Sequence, residues 1–213
     1  MVDLKRKLKT NYVIGVDEVG RGSFAGPVTV AAVALPKKFS FPKFKNLKLE
    51  DSKKLTPLQR EKWFDWVKEN KIPYAVSSVS PKIIDKINIS NAANLAATKA
   101  FQQLIAKSKL QRVKIYLDGG LFLNKLQTTS YKLQTKTIIR GDEKINTIKL
   151  ASIVAKVIRD KKMKQFHKKY PQYGFLQNKG YGTKKHLNAI KKYGFCSIHR
   201  KSFLKSLIVK PVE

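Results

Sequence analysis

A short apolar run, Tyr12-Val13-Ile14-Gly15-Val16, is ended by two adjacent carboxylates and a Gly-Arg-Gly, in the stretch Asp17-Glu18-Val19-Gly20-Arg21-Gly22. A run of that composition reads as a buried strand. Carboxylates at its end are costly to bury unless a cation or hydrogen bonds compensate them. Consecutive residues of a strand point to opposite faces, so a regular strand cannot aim Asp17 and Glu18 at one ion. The glycines permit a bend that lets the pair converge if the strand stops at Asp17. The competing reading is a strand that ends in a solvated acidic turn.

Charge sharpens the choice. The chain carries 45 Lys and Arg against 14 Asp and Glu, a formal net charge of +31. Such a balance implies a polyanionic partner, most commonly nucleic acid. With so few acids available, two side by side on an apolar strand stand out. The 213 residues, 42% of them hydrophobic, suffice for a sizeable core in one domain, expected over residues 12–213 behind a basic tail at 1–11. A single cysteine, Cys196, excludes an internal disulfide and fits a reducing, cytoplasmic setting. No apolar run approaches the ~20 residues of a membrane helix.

Residues 12–17 and 27–35 read as adjacent central strands, followed by a long basic loop over residues 36–54. Thr56 and Pro57 open a helix to about Asn70 with Trp63, Phe64 and Val67 facing the core. Residues 73–79 alternate as a strand, Ser80-Pro81 opens a helical turn, and Ser90 is expected to cap a helix through Ala106. Strands ending at Asp118-Gly119-Gly120 and before Gly141-Asp142 follow, then helical spacing at Leu150, Ile153, Val154 and Val157. From about Asp160 the chain is basic and mainly helical, with Thr183 and Gly194 as helix caps. The pattern predicts an α/β domain, a central sheet flanked by helices with a helical C-terminal extension.

Three predicted strands thus end in acids: Asp17-Glu18, Asp118 and Asp142. Strand ends of α/β sheets are where sites collect, and four clustered carboxylates repel unless divalent cations sit among them. Oxygen donors without His or Cys favour Mg²⁺ or Mn²⁺. Beside a phosphodiester polymer, such a cluster suggests two-metal hydrolysis. The bland alternatives are a turn role for Asp118 and an exposed loop or helix start for Asp142-Glu143.

Seven ordered motifs give the chain a family resemblance from about Tyr12 to Phe203. They are Gly15-Val16-Asp17-Glu18-Val19-Gly20-Arg21-Gly22, Asp51-Ser52-Lys53-Lys54-Leu55, Ile84-Asp85-Lys86-Ile87-Asn88-Ile89, Leu117-Asp118-Gly119, Ala151 to Asp160, Lys179-Gly180-Tyr181-Gly182-Thr183 and Ile198-His199-Arg200-Lys201-Ser202-Phe203. The chain resembles ribonuclease HII, the type 2 ribonuclease H family. The resemblance implies an RNase H-like fold with a central mixed sheet. It also implies cleavage of the RNA strand of RNA/DNA hybrids, or 5′ of a ribonucleotide embedded in duplex DNA, leaving 5′-phosphate and 3′-hydroxyl ends. It places the metal-binding, catalytic carboxylates on Asp17, Glu18, Asp118 and Asp142, the 2′-hydroxyl-reading loop on Gly20, Arg21 and Gly22, and the junction-sensing tyrosine on Tyr181.

Lys53 is a candidate phosphate contact or a solvated lysine, and Asp160 a candidate structural ion-pair partner. Lys184, Lys185, His186, His199, Arg200 and Lys201 are candidates to track the duplex backbone, or simply basic surface. Lys149-Leu150, Cys196-Ser197 and a long segment between Asp118 and Asp142 depart from the family pattern. No clamp-binding motif is seen in Leu204 to Glu213, and a monomer is expected. Two alternatives remain: a ribonuclease HIII-like enzyme acting on longer hybrids, and a non-catalytic nucleic-acid-binding protein.

Overall fold

The computed structural model describes residues 12–42, 47–108, 110, 113–124 and 134–205. The expectations for the tail at 1–11 and for residues 206–213 of the C-terminal segment lie outside these. Strands β1 (Tyr12–Val19), β2 (Val28–Pro36), β3 (Tyr74–Val79), β4 (Val113–Asp118) and β5 (Gln134–Ile138) form one sheet in the order β3-β2-β1-β4-β5. The β1–β2 and β2–β3 pairs are antiparallel, while β1–β4 and β4–β5 are parallel, so the sheet is mixed as expected.

Both faces of the sheet are covered, which is why β1 and β2 are apolar nearly throughout. On one face Ile14, Val16, Val30, Ile115 and Leu117 pack with Ala93, Ala96, Ala97, Phe101 and Leu104 of α3 (Ile89–Ser108), which follows the short α2 (Pro81–Ile87). On the other, Ala31, Val33 and Leu35 meet Trp63, Phe64 and Val67 of α1 (Pro57–Glu69) and Leu150, Ile153, Val154 and Val157 of a long helix. That helix, α5 (Asn146–Lys169), follows the single turn α4 (Gly141–Lys144). It passes through Asp160 without a break, so the helical extension begins only after Lys169. Beyond it, α6 (Phe175–Asn178) and α7 (Lys184–Tyr193) build a third cluster in which Ala25 and Met163 meet Tyr173, Phe175, Ile190, Ile198 and Leu204.

Local sequence chemistry explains several boundaries. Thr56 accepts from the Gln59 N–H while the Gln59 side chain accepts from the Thr56 N–H, a complete capping box with Pro57 at the first helical position. Thr183 caps α7 by accepting from the His186 N–H. Ser90 does not cap α3. That helix starts one residue earlier, and Asn88, at φ +63°, accepts from the Asn91 N–H. Its side-chain oxygen thereby satisfies one of the free N–H groups of the first turn.

Helix and sheet approach closely at Gly15. A Cβ there would stand 2.2 Å from the Thr147 backbone carbon, so only glycine lets the first turn of α5 lie against β1. Gly15→Ala is expected to cost about 1–3 kcal/mol, the usual range for overpacking. Urea denaturation should show this as a lowered midpoint with an unchanged slope; an unchanged midpoint would mean α5 is not pressed on β1.

Candidate active site

The two-residue alternation of β1 decides how its acids are used. The strand does not stop at Asp17. It pairs regularly through Val19, with Asp17 opposite Ala31 and Glu18 opposite Val30. The bend that the glycines permit, which would aim both side chains at one point, is therefore not used. Asp17 leaves toward α5, and Glu18, in step with Ile14 and Val16, leaves toward the α3 face. In parallel β4, Val16 pairs with Leu117, which places Asp17 and Asp118 at the ends of neighbouring strands. Asp118 Oδ1 accepts from the Gly141 N–H at 2.6 Å and from the Asp142 N–H at 3.4 Å, and so fixes the turn that carries Asp142.

Asp17, Asp118 and Asp142 each place a carboxylate oxygen within 4.8 Å of the other two. Glu18 is not in this group. It lines the same cleft of ≈ 260 Å³, together with Gly20, Arg21, Gly22, Ser52, Lys53, Ser152, Lys156 and Tyr181. Its Oε1 lies 3.3 Å from Arg21 Nη1, while its buried Oε2 has no hydrogen-bond partner among the described residues. Arg21 Nη2 also donates to Ser90 Oγ at 2.9 Å, so Ser90 serves the site loop rather than a helix end. Lys53 Nζ donates to Asp142 Oδ2 at 3.0 Å, although the lysine is otherwise exposed.

Electrostatics show what the cluster lacks. Burial above all, then the charges of Glu18 and Asp118, hold Asp17 well above the usual carboxylate range. Burial also raises Glu18, against the pull of Arg21. Asp118 is raised by burial and by Asp142, against the two backbone N–H groups it accepts from. Three oxygen donors repelling one another, with an orphaned glutamate oxygen nearby and no His or Cys, fit a hard divalent cation.

The loop after β1 rests on two buried arginines. Arg200 donates to the carbonyls of Gly20 at 2.6 Å, Arg21 at 2.8 Å and Gly26 at 3.0 Å. Arg159 donates to Pro27 O, Ala25 O, Lys179 O and Ser23 Oγ. Burial first, then Arg159, lowers Arg200 to about 9. Gly20 sits at φ +85°, where a Cβ would meet Arg159 Nε at 2.2 Å. The Arg159 guanidinium also lies 5.6 Å from the centre of the partly exposed Tyr181 ring.

This revises one expectation. His186, His199 and Arg200, grouped in the sequence with basic surface residues, are all buried. Their donors and acceptors go to backbone and to each other, so they do not track a duplex. Asp160 does form an ion pair, with Lys156 at 2.8 Å. Arg159 lies in the Ala151–Asp160 motif, but the Leu150-Ile153-Val157 stripe of α5 gives it no role of its own. Ala155, Arg159 and Met163 make a second stripe at i, i+4, and all three are buried.

A mixed five-stranded sheet with acids near the ends of β1 and β4 is the architecture of the RNase H-like fold. The solved ribonuclease H2 from Pyrococcus horikoshii shares the fold, with a TM-score of 0.69 at 26% identity over 93% of this chain and 100% of that one. The sequence model described as Ribonuclease HII matches residues 14–206. Ribonuclease HII of Borrelia recurrentis is 48% identical over 191 residues, 90% of this chain and 98% of that protein. Ribonuclease HII of Ruminiclostridium cellulolyticum is 42% identical over 198 residues, 93% of this chain and 72% of that protein. The chain belongs to the ribonuclease HII family and is a metal-dependent ribonuclease. That removes the non-catalytic alternative.

Relief of repulsion is measurable. Asp17→Asn deletes one buried charge with almost no change of shape, so in chelator the variant should melt above wild type. Added Mn²⁺ should raise the melting temperature of wild type and leave the variant nearly unmoved. Equal Mn²⁺ shifts in both proteins would mean that Asp17 is not a ligand.

Proposed function

We propose that this enzyme cuts the RNA strand of RNA/DNA hybrids and cuts duplex DNA 5′ of a single embedded ribonucleotide, leaving 5′-phosphate and 3′-hydroxyl ends. The observation that carries this reading is the meeting of the three aspartate oxygens in one cleft with the Gly20-Arg21-Gly22 loop and Tyr181. Asp17, Asp118 and Asp142 would hold Mg²⁺ or Mn²⁺, and Glu18 Oε2 would complete the donor set for a second ion. Bound divalent ions supply an activated water and a counter-charge for the leaving oxygen.

The chain's own residues then have separable tasks. Lys53, on Asp142, keeps that carboxylate oriented and offers a cation to a phosphate. Arg21 is held by Glu18 and Ser90 at the cleft wall, where its charge attracts the backbone of the substrate. Gly20 is required by the protein itself, through its positive φ and the Arg159 side chain beneath it. Gly22 is different: it is exposed, has no positive φ, and a Cβ there would meet nothing within 4 Å. Its lack of a side chain matters only to something approaching from outside, which supports close passage of a ribose edge. Tyr181 presents a partly exposed ring to the same cleft, suited to packing on a sugar with its hydroxyl near the 2′-hydroxyl that separates RNA from DNA.

Cleavage of a DNA duplex with one internal ribonucleotide, with Mg²⁺, with Mn²⁺ and with chelator, tests this reading. A metal-dependent cut immediately 5′ of the ribonucleotide is expected. Cleavage confined to hybrids of several ribonucleotides would favour the HIII-like alternative. Gly22→Ala should fold as stably as wild type and cleave more slowly, whereas Gly20→Ala should lose stability. Tyr181→Ala should harm cleavage at the single ribonucleotide more than on a long hybrid.

A further inference from the structure

Two buried histidines lie behind Tyr181, outside the catalytic cleft. His186 Nδ1 is 2.9 Å from the Tyr181 carbonyl, His186 Nε2 is 3.1 Å from His199 Nε2, and His199 Nδ1 is 2.9 Å from the Cys196 backbone nitrogen. The chemistry of the two ends fixes every proton. A carbonyl only accepts, so His186 carries its proton on Nδ1 and accepts at Nε2. A backbone N–H only donates, so His199 accepts at Nδ1 and donates from Nε2. The result is a one-way chain of hydrogen bonds from Cys196 N–H through both rings to Tyr181 O. A further proton has no place in it, because it would set two donors face to face.

The surroundings keep the pair neutral. Tyr173 of the 3₁₀ turn Pro171–Tyr173 stacks edge-on at 4.8 Å from His199, Phe175 of α6 lies 5.4 Å from His186, and Phe195 lies 5.8 Å from His199. The titratable neighbours are the Tyr173 hydroxyl, which donates to Gly194 O, and the half-buried Cys196. Lys184 and Lys185 of α7 are exposed, and the Arg200 guanidinium is spent on carbonyls of residues 20, 21 and 26. No carboxylate pairs with either ring among the described residues. Burial lowers His186, and burial with the neighbouring ring lowers His199 to about 4.

Consecutive residues therefore reach different parts of the site. His199 acts through His186 on the Tyr181 carbonyl, and Arg200 holds the carbonyls of Gly20 and Arg21. We propose that His186 and His199 are positioning residues that set Tyr181 against the Gly20-Arg21-Gly22 loop, and with it the preference for a single embedded ribonucleotide. This rests on the reading of Tyr181 given above.

Three substitutions at His186 separate this role from simple packing. His186→Asn places an amide N–H near the former Nδ1 and keeps the bond to Tyr181 O. His186→Gln reaches toward His199 instead, and His186→Phe keeps only bulk. Rates on the single-ribonucleotide duplex and on a long hybrid are compared for the full-length variants, with melting temperatures alongside. The Phe and Gln variants should lose about 3- to 10-fold on the single ribonucleotide relative to the hybrid, the size of one neutral hydrogen bond, and the Asn variant should restore the ratio. Parallel losses on both substrates would overturn the proposal. So would an altered ratio for Tyr181→Ala with none for His186→Phe. An unchanged ratio for Tyr181→Ala would instead overturn the reading of Tyr181 itself, and the positioning role with it. Long-range ¹H–¹⁵N spectra of the wild-type protein need no variant to fold. They should show His186 as the Nδ1–H tautomer and His199 as the Nε2–H tautomer; any other pair of tautomers contradicts the chain.

Discussion

Mutual repulsion among buried carboxylates is the interaction on which this molecule turns. Asp17, Asp118 and Asp142 come from β1, β4 and the turn after β5, and their oxygens lie within 4.8 Å of one another. Folding brings three like charges together at a buried strand end, where water screens them poorly. The fold carries this load because β1 is locked between β2 and β4 and because Gly15 lets α5 close over it. The divalent cation that the family requires is thus also the missing half of an electrostatic arrangement that the chain leaves open.

The loop after β1 is built on the opposite principle. Arg159 and Arg200 are buried cations with no carboxylate partner among the described residues, and every donor they use goes to a carbonyl or to Ser23. Buried charges persist when their hydrogen bonds are satisfied and an opposite charge lies close enough. Here the carbonyl dipoles satisfy the donors, and a phosphate backbone over the Gly20-Arg21-Gly22 loop would bring the opposite charge. Clustered aspartates, of which only Asp142 is met by a lysine, lie beside a loop held from beneath by two arginines that pair with carbonyls.

Much of this was legible in the sequence where the cause is local. The Thr56 cap, the Thr183 cap and the strand ending at Asp118 depend on residues within a few positions, and each is found where expected. The convergence of Asp17 and Asp118 follows from parallel pairing of two apolar strands. Hidden were features decided by partners far along the chain. Glu18 keeps to its own face because Val30 continues the ladder past Asp17. Arg200 looks like basic surface in a chain of +31, yet its partners are the carbonyls of Gly20, Arg21 and Gly26 at the other end of the chain, which no local pattern reveals. Ser90 has the composition of a cap, but Asn88 takes that role, and the partner of Ser90, Arg21, is 69 residues away.

The separation of Asp17 from Glu18 by strand geometry is tested most directly by calorimetric titration of Mn²⁺ into the chelator-stripped full-length protein. Wild type, Asp17→Asn and Glu18→Gln would be compared without nucleic acid. Asp17→Asn should lose about tenfold or more in affinity, at least the scale seen when the support of a metal ligand is removed, and Glu18→Gln should lose much less. Equal losses in the two variants would place both side chains on one ion and contradict the account.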